Sequence, residues 1–137
     1  MVYRQKVGRG GVGQNITQMP KTASTAFTEN SFVVLSSGKL IPATGSTKID
    51  GVILQRVTSA DADYASVVDK QVDRPVSRDH RFVVAIDDTS GIVPGVQKEL
   101  KTATEVEGGT VTGTASVIIE EVIKTGTPGL VAVSIIK

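Results

Sequence analysis

The sequence lacks cysteine, and this absence excludes several classes of protein. Without Cys, the chain cannot carry a disulfide scaffold, a cysteine-based zinc site or a thiol nucleophile. It also has no Trp, three Phe, two Tyr and a single His. So few aromatic side chains offer little for stacking on nucleic-acid bases or on sugar rings. One histidine leaves few ways to assemble a general acid–base centre.

Long apolar runs are missing as well. No stretch approaches the ~18 apolar residues of a membrane-spanning helix, and the N-terminus lacks the apolar core of a secretory signal. We therefore expect a protein that is made in the cytoplasm and has no membrane partner. The sequence shows no long amphipathic helical pattern and no internal repeat. A net charge of +1 is too small to indicate a nucleic-acid, membrane or strongly acidic partner.

The sequence is rich in β-branched residues. It contains 21 Val, 11 Ile and 15 Thr against 5 Leu, and such side chains favour strands because they pack well on a pleated sheet. Turn residues separate the short apolar runs at intervals typical of sandwiches and barrels. The 137 residues amount to about one domain. These features predict an all-β fold, a small antiparallel β-barrel or β-sandwich.

Local patterns predict two hairpins. The runs 32–35 and 39–41 flank Ser36-Ser37-Gly38, which predicts a tight turn. The runs 116–123 and 130–136 bracket a second turn, so they should pair in antiparallel fashion.

Other segments are predicted less sharply. Residues 51–57 begin with a run that is apolar on both faces, which indicates a central strand. Strand-like alternation also covers 68–76 and 81–86. Residues 58–66 fit one helical turn or a surface loop equally well.

The first 26 residues differ from the rest in composition and charge. They contain Arg4, Lys6, Arg9 and Lys21 and no acid, whereas the remaining 11 bases and 14 acids leave a charge of −3. Their glycines make a regular element costly. We interpret 1–26 as an extended basic arm that orders on a neighbour, and 27–137 as the β-barrel or β-sandwich domain.

None of the motifs in the sequence predicts a catalytic, metal or cofactor site. Gly8, Gly10 and Gly13 match the G-x-G-x-x-G dinucleotide motif, but the flanking strand and helix patterns are missing, so a flexible arm is the better interpretation. His80 lies in a polar turn and is expected to be solvated. We therefore predict neither an enzyme nor a small-molecule substrate.

The paired acids were weighed in the same way. Glu120 and Glu121 are neighbours on a predicted strand and point to opposite faces, so solubility or partner contact is the expected role. Asp61 with Asp63, and Asp87 with Asp88, lack the spacing of a calcium loop and are expected to form turns.

The order of elements carries a resemblance. A short strand and hairpin over 30–43 leads into a Gly-Val-rich strand at 49–54, and the chain ends on a hairpin whose last strand, 129–133, is rich in Val. This order, over about four fifths of the chain, resembles the capsid decoration (cement) proteins of tailed bacteriophages. The arm of this chain departs from that family in its length and its glycine density.

The resemblance implies a virion structural protein on the capsid surface. It implies a homotrimer at three-fold sites that binds the major capsid protein and cements the lattice. The arm would then reach over capsid subunits, and its expected contact residues are Tyr3, Arg4, Lys6, Val7, Arg9 and Ile16. A glycan- or receptor-binding β-sandwich is the alternative; an enzyme on a jelly roll is a third interpretation, which one His and no Cys disfavour.

Overall fold

The computed structural model describes residues 1–4 and 14–136. In this part of the chain there are twelve strands and no helix, and hence no helix that is long and apolar enough to cross a bilayer. The predicted all-β class is confirmed. The strands are β1 Tyr3–Arg4, β2 Ile16–Pro20, β3 Ser31–Ser36, β4 Lys39–Pro42, β5 Gly51–Ile53, β6 Asp69–Asp73, β7 Arg81–Ile86, β8 Gln97–Lys98, β9 Leu100–Thr102, β10 Glu105–Val106, β11 Val117–Lys124 and β12 Gly129–Ile135.

Seven of these strands form a nearly closed barrel, which we call the barrel sheet. Its order is β8-β11-β12-β7-β10-β9, and β1 also pairs with β7. The first and last strands of this order are separated in the chain only by Glu99. The two ends of the sheet are therefore joined through the chain itself. All pairings are antiparallel except that between β7 and β10, which is parallel.

The other five strands form an antiparallel second sheet in the order β2-β6-β5-β3-β4. A bridge between Lys21 and Leu40 brings its two edges together. Several hydrogen bonds attach this sheet and its loops to the barrel. Among them, Phe32 N donates to Ala103 O at 2.7 Å, and Ser116 Oγ donates to Thr47 O, in the loop between β4 and β5, at 2.7 Å.

The main core lies between the two sheets. Residues from both contribute to it, and side chains of β3 and β5 alternate between this core and a smaller one. Such alternation is what a strand with period two requires when both faces are covered. The main core contains Val2, Phe32, Ala43, Ile49, Val52, Phe82, Val84, Ile86, Ile92, Leu100, Val106, Val117, Ile119, Val131, Val133 and Ile135.

The smaller core fills the other face of the second sheet. It contains Met19, Phe27, Val33, Leu40, Ile53, Val57 and Val72. The prediction that β5 is central and covered on both faces is confirmed, since β5 lies between β3 and β6 and is fully buried. A Cβ at Gly51 would approach Asp73 O to 2.7 Å, so only glycine allows these strands their close contact.

Both predicted hairpins are confirmed. β3 and β4 pair across a two-residue turn in which Ser37 and Gly38 have φ of 51° and 76°. Positive φ at both central positions is the geometry that matches the twist of a hairpin. β11 and β12 pair along most of their length, with register shifts that make β11 irregular around Glu120.

The N-terminal region differs from the prediction of an extended arm over 1–26. Val2 is completely buried in the main core, and β1 pairs with β7. β2 pairs with β6 over its whole length, and Met19 is buried in the smaller core. Residues 1–4 and 14–26 are therefore parts of the folded body, because their backbone groups find strand partners and their apolar side chains fill core positions. The rest of the predicted arm, residues 5–13, lies outside the described residues.

Candidate protein-interaction surface

The residues on either side of 5–13 bind the same carboxylate, that of Asp73. On one side, Arg4 Nε donates to Asp73 Oδ2 at 2.9 Å, and Arg4 Nη2 donates to Asp73 Oδ1. On the other, the backbone N–H of Asn15 donates to Asp73 Oδ1 at 3.1 Å. Asp73 is buried at the end of β6. Residues on either side of 5–13 thus bind the same carboxylate, and we call this point the Asp73 junction.

Arg4 is an interior residue, not a contact of an extended arm. Its side chain is 5% exposed, and its guanidinium lies 4.9 Å from the centre of the Phe82 ring. Arginine stacks well on an aromatic face while it binds a carboxylate in bidentate fashion. Nη1 is buried without a hydrogen-bond partner among the described residues. The Arg4 guanidinium therefore links β1 to β6.

The other predicted contact residues fall into two groups. Tyr3 and Ile16 flank the Asp73 junction and are 51% and 49% exposed, so they remain available to a partner. Lys6, Val7 and Arg9 lie outside the described residues. The structure thus brings the two exposed apolar residues to the ends of the segment that carries the two remaining basic ones.

A depression adjoins the Asp73 junction, and sequence reasoning missed it. It consists of three cavities of about 380, 400 and 250 Å³. The first two share Lys48, the first and third share Ile135, and the last two share Ile136. We call this set the basic depression. The residues that line it are Asn15, Thr17, Ser46, Lys48, Ile49, Asp50, Arg74, Pro75, Val76, Arg78, Thr114, Ala115, Ile118, Ser134, Ile135 and Ile136.

The charges around the basic depression are predominantly positive. Lys48 and Arg74 are exposed and have no ion-pair partner among the described residues. Asp50 is the one acid in the described lining, and its Oδ2 already accepts the backbone N–H of Leu35 at 2.7 Å. No local sequence pattern predicts this depression, because the residues that line it come from segments far apart in the sequence.

Glu120 borders the depression as part of an ion network. It accepts hydrogen bonds from Arg78 Nε at 2.6 Å and from Ser134 Oγ at 2.7 Å, and Arg81 Nη2 lies 3.9 Å away. Burial raises the pKa of Glu120, but these hydrogen bonds and positive charges lower it more, so the pKa lies below its ordinary value. With its side chain 9% exposed, Glu120 is a structural carboxylate, whereas the sequence predicted a role in solubility or partner contact.

His80 is also more buried than expected. It is 7% exposed, where the sequence predicted a solvated turn residue. The backbone N–H of Val76 donates to His80 Nδ1 at 2.6 Å. This bond closes the turn between β6 and β7, which explains why the ring folds inward. The bond also fixes Nδ1 as an acceptor and therefore without a proton.

Asp61, Asp63 and Asp88 lie in turns, as predicted, whereas Asp87 binds a distant segment. Asp87 Oδ1 accepts the N–H of Gly108 at 2.6 Å, and Asp88 Oδ1 accepts the N–H of Ser90 at 2.9 Å. Burial raises the pKa of Asp87, but the Gly108 N–H and the Lys101 ammonium lower it below its ordinary value. Within 1–4 and 14–136, no group of three or more His, Asp or Glu side chains is placed to hold a metal ion.

Comparison with protein-family models, with curated proteins and with solved structures finds no match for this chain. The candidate site is accordingly defined by geometry. It combines the Asp73 junction, the exposed Tyr3 and Ile16, and the basic depression beside them.

Proposed function

We propose that this chain is a virion structural protein that binds the outside of a phage head and stabilises the capsid lattice. Its partner would be the major capsid protein, and it would act as a homotrimer at three-fold sites. The Asp73 junction is the observation that carries the proposal. It holds the residues on either side of a basic, glycine-rich stretch of sequence at one point of the β body, and the side chains of Tyr3 and Ile16 are exposed there.

A contact segment loses conformational freedom when it becomes ordered on a partner. Fixing a backbone costs on the order of 1–2 kcal/mol per residue. A segment whose two ends are already held has fewer conformations to lose on binding than a free arm has, so more of its contact energy appears as affinity. Lys6 and Arg9 supply charge for acidic capsid residues, and Val7 supplies apolar area.

The trimer rests on a separate argument. A small β domain gains stability when assembly covers its strand edges and its exposed apolar side chains. Val93 and Ile123 are 58% and 40% exposed on the body, and burial between copies would remove them from water. A closed ring of three copies also matches the symmetry of a three-fold capsid position, where each copy meets an equivalent capsid subunit.

The proposal is tested with heads assembled from the major capsid protein encoded in the same genome. Purified chain is mixed with these heads and sedimented through a sucrose gradient. We expect the chain to sediment with the heads and to saturate them at three copies per three-fold site. We also expect it to raise the temperature at which the heads break. A chain that stays at the top of the gradient at every concentration contradicts the proposal.

A further inference from the structure

We propose that the basic depression is a docking site for an acidic segment of a protein partner. The inference deepens the proposed function, on which it rests for one point only: the segment would then belong to a capsid subunit. The proposed binding surface consists of described residues of the body and does not include residues 5–13.

The shape of the depression favours a peptide segment over a small molecule. Its three cavities meet around Lys48, Ile135 and Ile136. A ligand of a few atoms would fill one of them and leave the others open. Successive side chains of one polypeptide segment can occupy separate cavities that share walls, and this is how pockets beside a bound peptide give specificity.

The charges select an acidic segment. Lys48 and Arg74 are exposed without ion partners in the described part of the chain, and Arg78 is 63% exposed although it also binds Glu120. Opposing these three cations is Asp50, whose carboxylate is engaged by a backbone N–H. An acidic partner therefore gains two full attractions, to Lys48 and Arg74, because Glu120 at the border balances the charge of Arg78. It meets one repulsion within the lining, from Asp50. Such complementarity accelerates association and excludes basic partners.

The apolar lining favours protein over nucleic acid. Val76 is 61% exposed at the rim, and Ile118, Ile135 and Ile136 form one wall. Aliphatic surface of this kind buries the side chains of a peptide. Sequence-tolerant binding of single-stranded nucleic acid uses aromatic side chains as stacking platforms, and no aromatic residue lines the depression in the described ranges.

Continuity with the Asp73 junction supports the same assignment. Asn15 lines the depression and binds Asp73 with its backbone N–H. The described residues that precede and follow 5–13 therefore lie beside this basic surface.

The test is an NMR titration of the full chain with a short peptide of alternating glutamate and valine. Single-stranded DNA of equal charge is titrated in parallel. We expect amide shifts around residues 48–50, 74–76 and 134–136, with weaker binding of the DNA at physiological ionic strength. The proposal is overturned if the peptide does not bind, if its shifts lie elsewhere, or if the DNA binds more tightly at the same residues.

Charge reversal makes the test quantitative. The Lys48→Glu/Arg74→Glu variant should weaken peptide binding by about tenfold, since each exposed attraction becomes a repulsion. The matched control is Lys39→Glu/Lys124→Glu. It changes the charge equally at exposed lysines outside the depression, and it should change binding less than about twofold. Equal losses in the two variants would show a nonspecific charge effect and overturn the proposal.

The capsid experiment separates this inference from the proposed function. If wild type and the Lys48→Glu/Arg74→Glu variant sediment with heads equally well, the proposed function stands and the docking site is overturned. If the peptide binds in the depression but the wild-type chain does not sediment with heads, the docking site stands and the capsid function is overturned. If the Lys48→Glu/Arg74→Glu variant sediments less with heads than wild type and the control variant do, the result supports both the capsid function and the docking site.

Discussion

The Arg4 guanidinium and the Asp73 carboxylate form a buried ion pair that joins the barrel sheet to the second sheet. Their side chains are 5% and 2% exposed. Removing two charges from water is costly, and bidentate geometry with additional hydrogen bonds is needed to offset that cost. Asp73 has such a bond from Asn15, and Arg4 has the face of Phe82. The pair fixes where the chain enters and leaves residues 5–13.

Replacement of Asp73 by alanine should lower the free energy of unfolding by about 3–5 kcal/mol, because it leaves the Arg4 cation buried without its partner. Urea unfolding followed by circular dichroism measures the loss. The control is Asp69→Ala, an exposed acid on the same strand β6, which should change stability by less than about 0.5 kcal/mol.

The Arg4→Met/Asp73→Leu variant refines this prediction. Apolar replacement of both partners removes the uncompensated charge, so it should recover at least half of the stability lost by Asp73→Ala. A loss below about 1 kcal/mol for Asp73→Ala would mean that the pair does not hold the sheets together.

One replacement and one deletion, with opposite expected outcomes for the fold, distinguish the role of residues 5–13 from that of the strands beside them. A Gly-Ser linker of equal length in place of 5–13 should leave the fold intact, because β1 and β2 stay paired, and should weaken sedimentation with heads. Deletion of 2–20 should unfold the protein, since it removes both strands together with the buried Val2 and Met19. Circular dichroism and sedimentation measure the two effects. A folded, head-binding product of the larger deletion would contradict the assignment.

The confirmed elements share a local signal. The turn at Ser37-Gly38 and the long apolar strands β11 and β12 are encoded by neighbouring residues, so hairpin rules suffice to predict them. The apolar start of β5 likewise reflects the cover on both of its faces. These elements fix the all-β class without any information on distant contacts.

The elements that sequence reasoning missed are short or polar, and distant partners stabilise them. β1, β8 and β10 have two residues each, too few for alternation to be visible. Arg4 and Asp73 are 69 positions apart, and the basic depression joins segments that are equally remote. Charge and glycine content suggested a free arm because nothing local indicates that β1 and β2 have strand partners.

Lys21 should prove to be a structural lysine. It is completely buried, and its Nζ donates to Tyr64 O at 3.0 Å and to Ser66 O at 2.6 Å. Lys21→Met should therefore lower the free energy of unfolding by about 1–3 kcal/mol, because two carbonyl oxygens lose their donor. Amide hydrogen exchange should accelerate most within 58–66. Lys39→Met, at an exposed lysine of β4, is the control. Unchanged exchange in 58–66 would contradict this role.

Acid should destabilise the protein partly through Glu120. The pKa of this carboxyl lies below its ordinary value in the folded protein: burial raises it, and the hydrogen bonds from Arg78 and Ser134 and the nearby positive charge lower it more. Between the two pKa values the unfolded chain binds more protons, so stability falls as the pH falls. The contribution is complete above the ordinary glutamate pKa of about 4.3 and is lost below the folded-state pKa.

Glu120→Gln should remove this dependence, because glutamine keeps an acceptor for Arg78 and Ser134 but carries no charge. The variant should be less stable than wild type near pH 7, and the difference should shrink as the pH falls through the folded-state pKa of Glu120, because both side chains are neutral below it. Urea unfolding across this range measures the two curves. Glu29→Gln, at an exposed glutamate with no ion pair in the described part of the chain, is the matched control and should leave the curve nearly parallel to that of wild type. A constant gap between Glu120→Gln and wild type at every pH would show that packing, and not the ionised carboxylate, accounts for the contribution of Glu120.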